Sequence, residues 1–102
     1  MTLALPGIVG CSAAKPEWTV AEGWLSARCE AASELLLQRG DGSIRTRFET
    51  WRGLTDAFAA STDARMELQQ RARASMAGNG TAEAFFAANC GDDAVADVRR
   101  TL

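Results

Sequence analysis

Two pairs of carboxylates stand at spacings suited to acid–base chemistry. Glu30 and Glu34 lie one helical turn apart, and Asp92 is followed directly by Asp93. A carboxyl group acts as a general acid near neutral pH only where apolar surroundings or a like charge raise its pKa. Neither pair is embedded among residues that would do so. Glu30 and Glu34 read as a polar helix face, and Asp92–Asp93 as acidic groups heading a helix, where the dipole favours them. Histidine is absent from all 102 residues. That removes the usual base near neutral pH and the commonest zinc ligand. It also leaves the three cysteines without an activating base, so a cysteine nucleophile is not expected. A hydrolase built on Glu30, Glu34 or Asp92 is therefore the last of three function classes. No residue is assigned to catalysis, cofactor or metal, no cofactor is expected, and no phosphate-binding or dinucleotide motif occurs.

Arg45, Arg47 and Arg52 interleave with Phe48 and Trp51. Glu49 follows Arg45 by four residues and Asp56 follows Arg52 by four, a spacing that predicts pairing within one helix. With 11 basic and 13 acidic side chains and a net charge of −2, the chain lacks the basic excess of a nucleic-acid binder. Aromatic and arginine side chains dominate protein-binding hot spots, which makes Trp51, Arg45 and Arg52 the candidate partner contact. A stripe at helical spacing is also how a core reads. The effect of Trp51→Ala on stability separates the two readings.

The elements that hold these residues are helical. The apolar content leans on alanine and leucine, there is no tyrosine, and strand-forming residues are scarce. Thr19-Val20-Ala21-Glu22 reads as a capping box opening a helix with Trp24, Ala27, Ala31 and Leu35 on one line and Leu25, Cys29, Ala32 and Leu36 beside it. Gly40 stops it, and Ser43 is expected to cap the next. Ile44, Phe48, Trp51, Leu54, Thr55 and Phe58 give that second helix the clearest period, with Gly53 expected to allow close packing. A third, mostly exposed helix starts at Ser61 or Thr62, a fourth at Thr81 carries Phe85 and Phe86, and a last piece from Asp92 places Val95, Val98 and Leu102 on one side. The expected fold is an all-α, single-domain bundle of four to five short helices around one core.

Near the start, Ile8-Val9-Gly10-Cys11 follows an uncharged apolar run and precedes Ser12-Ala13-Ala14-Lys15-Pro16-Glu17. This resembles the lipobox of a bacterial lipoprotein, where the signal is cut before a lipid-bearing cysteine and a short tether follows. The resemblance implies a signal remnant over residues 1–10, a tether over 11–18, and a helical domain over 19–102. It implies lipidation of Cys11, an envelope address on the periplasmic side, and, with serine after the cysteine, the outer membrane. Cys29 and Cys90 then form an even set, which in that compartment implies a disulfide. Two free thiols in a cytosolic protein remain the alternative. The leading function class is thus a small non-enzymatic envelope protein that binds another protein, as an inhibitor, immunity protein, chaperone or accessory subunit does. The second is a cytosolic helical regulator or assembly factor.

Overall fold

The computed structural model describes residues 21–102. The lipobox-like segment, the tether and Thr19 of the expected capping box lie outside the described residues. Five α-helices follow in chain order: α1 (Ala21–Gln38), α2 (Arg45–Phe58), α3 (Thr62–Ser75), α4 (Thr81–Asn89) and α5 (Asp92–Arg99), with a 3₁₀ turn at Gly42–Ile44 before α2. No strand occurs among the described residues.

Helix α1 is the axis of the fold. Helices α2, α3 and α4 each pack against it, and α5 folds back onto α2. Its buried residues are small: Gly23, Ser26, Ala27, Cys29, Ala31, Ala32 and Ser33, together with Glu30. Short side chains let three neighbouring helices approach one backbone. The serine hydroxyls cost little there because they donate back along the helix, Ser26 Oγ to the Glu22 carbonyl at 2.8 Å and Ser33 Oγ to the Cys29 carbonyl at 2.7 Å.

The core consists of two clusters of buried residues, each including residues of α1. Ala27, Ala31 and Ala32 meet Leu68, Ala72 and Met76 of the α3 side and Ala82 of α4. Cys29 meets Trp51 and Leu54 of α2, then Cys90, Val95 and Val98. Phe85 and Phe86 pack against both clusters and join them. A disulfide links Cys29 to Cys90, with Cα atoms 5.6 Å apart across a separation of 61 residues. It ties the middle of α1 to the joint between α4 and α5.

Local chemistry sets the helix boundaries. Gly40, at φ 101°, ends α1. The Asp41 amide donates to the Leu36 carbonyl at 3.1 Å and the Gly40 amide to that of Leu37 at 2.9 Å, the paired bonds of a left-handed glycine cap. Ser43 does not cap α2. The cap side chain is Asp41, which accepts from the Ser43 amide at 3.2 Å and serves the 3₁₀ turn, so α2 starts one turn on from it without a side-chain cap. Ser61 caps α3, accepting from the Ala64 amide at 3.1 Å. Gly53 faces outward, and a Cβ added there would meet nothing within 4 Å. Its expected role in close packing is therefore corrected.

Candidate functional site

Of the four carboxylates singled out by spacing, Glu30, Glu34 and Asp92 are engaged by arginines from other elements. Glu30 is 3 % exposed and accepts from Arg65 Nη2 of α3 at 2.8 Å. Arg65 Nε donates at 2.6 Å to Asp56 of α2, so one guanidinium joins three helices. Burial pushes the Glu30 carboxyl above its ordinary pKa; Arg65 opposes this, and the charges of Glu34 and Asp56 add to it. Burial works against the Arg65 charge, but its bonds to Glu30 and Asp56 outweigh that and raise its pKa. The expectation that nothing around Glu30 would raise its pKa is corrected, because this face of α1 is covered rather than solvated. Glu30 is enclosed, and its Oε1 is buried with no hydrogen-bond partner among the described residues.

Glu34 takes a two-pronged contact from Arg73, at 2.9 and 2.7 Å, and Asp92 accepts from Arg47 at 2.7 Å. Arg39 pairs with Glu83 across the ends of α1 and α4. Glu34, Gln38, Arg39 and Arg73 line a groove of about 530 Å³ beside Leu35 and Ala77. These arginine–carboxylate pairs hold helix to helix. Among the described residues no group of three or more His, Cys, Asp or Glu side chains is placed to hold a metal ion.

The candidate partner contact is redistributed. Trp51 is fully buried, and its Nε1–H donates to the Cys90 carbonyl at 3.2 Å, so it belongs to the core and not to the surface. An aromatic on the α2 stripe turns inward because that stripe faces α1 and the disulfide. Arg45 and Arg52 remain exposed. Their expected pairs with Glu49 and Asp56 do not form: Asp56 turns to Arg65, and Arg52 lies over the Phe48 ring at 5.4 Å. Arg47 reaches across to the Cys90 carbonyl at 2.6 Å.

An arginine and two rings that spacing did not single out form the more distinctive constellation. The Arg28 guanidinium lies 5.2 Å from the centroid of Trp24, one turn earlier on α1, and 4.7 Å from that of Phe85 on α4. All three side chains are half-buried. Arg28 forms no ion pair among the described residues, and its Nε is sealed with no hydrogen-bond partner. Burial alone lowers its pKa, with no neighbouring charge contributing. An unmet buried donor costs about 1–3 kcal/mol, which the two cation–π contacts offset in part. The Trp24–Arg28 spacing was a readable signal for half of this cluster; Phe85 arrives only through the packing of α4.

No family model, curated protein or solved structure matches the chain. No helix among the described residues is long and apolar enough to cross a membrane.

Proposed function

We propose that the protein is a small non-enzymatic component of the bacterial cell envelope, held to the membrane by a lipid on Cys11 and acting by binding another protein. The observation that carries the binding half is the Trp24–Arg28–Phe85 cluster. It presents at the surface the residue types enriched in hot spots, on rigid helices, with a cation that has no ion-pair partner among the described residues. The buried Cys29–Cys90 disulfide supports the address, since such bonds persist in oxidising compartments. It also sits poorly with the cytosolic regulator. Nothing in the carboxylate geometry favours the hydrolase, because Glu30 is enclosed and Glu34 and Asp92 are paired.

The test has two parts. The wild-type gene, expressed in a Gram-negative host with an upstream signal segment, is expected to incorporate fatty acid, and Cys11→Ser to abolish it. A photo-crosslinking amino acid at Ala84, beside Phe85, is expected to give one discrete adduct in the envelope that Trp24→Ala removes. The same reagent at exposed Gln70 serves as control. No fatty-acid incorporation rejects the address. Equal adducts from both positions reject the binding surface.

A further inference from the structure

We propose that the Nη1–Nη2 end of the Arg28 guanidinium, packed against Trp24 and Phe85, receives a carboxylate from the protein that binds there. This rests on the protein-binding reading and names the chemistry of the contact. Six other arginines, Arg39, Arg47, Arg65, Arg71, Arg73 and Arg100, each hold a carboxylate of this chain. Arg28 is more enclosed than the exposed Arg45, Arg52 and Arg99, yet it holds none among the described residues. Its Nε edge is sealed, so a ligand reaches it end-on, where the two Nη groups form a fork matched to a planar carboxylate. Its contacts with the two rings restrict the orientation of that fork before the ligand arrives. This reduces the ordering required on binding.

The charge balance selects the ligand. One cation stands here, and it forms no ion pair among the described residues. A singly charged carboxylate is neutralised by one guanidinium, and the aromatic rings then lie against a neutral pair. A phosphate dianion would keep an uncompensated charge against the rings, which is costly in a partly dry site. An acidic side chain and a chain-terminal carboxylate satisfy the same fork.

The experiment follows the arginine side-chain NMR resonances of the full chain during titration with sodium acetate, with sodium chloride holding ionic strength constant. The expected result is a saturable shift at Arg28, larger than at Arg45, Arg52 or Arg99. Arg28→Lys, which keeps the charge and loses the fork, should weaken binding about tenfold. Trp24→Leu keeps Arg28 and should weaken it as well, each variant being checked for an unchanged helical spectrum. Two further probes separate the sources: an end-blocked Gly-Asp-Gly peptide and an N-acetylated Gly-Gly with a free carboxyl terminus. Binding of either supports the proposal and names the source. No preferential shift at Arg28, or tighter binding of inorganic phosphate than of acetate, overturns it. Retention of the Ala84 crosslink in Arg28→Gln also overturns it, while leaving the protein-binding reading in place.

Discussion

Replacing Arg65 by methionine removes the charge that joins α1, α2 and α3 while keeping most of its apolar stem volume. The cost follows from what is left behind. The Glu30 side chain is 4 % exposed and would lose its one charged partner among the described residues, whereas Asp56, 62 % exposed, would simply be hydrated. Breaking a buried pair from one side costs about 3–5 kcal/mol. The Asp56 contact adds no more than about 1 kcal/mol, because water screens it. Against a total of about 5–15 kcal/mol for a domain of this size, the loss is large. Urea unfolding followed by far-ultraviolet circular dichroism should show it as a lower midpoint. The deficit should shrink as pH falls from neutrality toward the ordinary glutamate range. Glu30 has a raised pKa in the folded state, so its ionised form opposes folding at high pH and its protonation relieves that opposition on the acid side. Without Arg65 that pKa rises further and relief begins at higher pH. Adding Glu30→Met to Arg65→Met should recover most of the loss. A single-variant cost below about 1 kcal/mol, or a double variant no better than the single, would refute a buried charge held by Arg65.

Replacing both Cys29 and Cys90 by alanine should cost about 4 kcal/mol, the loop-closure value for the 61-residue separation, read as a lower urea midpoint than the oxidised parent. Gly53→Ala should stabilise by up to about 1 kcal/mol, since the site is helical, exposed and open to a Cβ; a loss of stability would contradict the outward placement. Trp51→Ala should cost about 3–5 kcal/mol and leave the Ala84 crosslink intact in protein that still folds, because Trp51 fills the core and touches no partner.

The helical class, the element order and the α2 stripe were legible because each depends on residues close in sequence. Alanine content, the Gly40 stop and the four–three recurrence through Phe48, Trp51 and Phe58 are local signals. Helix α1 was read less well. A helix covered on three sides has little solvent face, so the usual contrast between apolar and polar lines fades, and Ser26, Ser33 and Glu30 go inside with it. The carboxylate partners were illegible for a related reason. Spacing reveals a partner one turn away on the same helix, but Arg65 and Arg73 reach Glu30 and Glu34 only once α3 has docked. Arg28 and Trp24 stood at a readable spacing, whereas the ring that completes the cluster comes from residue 85.

The Cys90 carbonyl accepts from both Arg47 Nη1 and Trp51 Nε1, two donors on a helix that carries no cysteine. Neither bond involves sulfur. A reductant that opens the crosslink therefore leaves the α4–α5 joint anchored to α2 at two points, with its thiol still facing Cys29. The covalent link is in this sense a latch on a door already shut, and reduced protein is prepared to re-oxidise to the same pairing without searching for it.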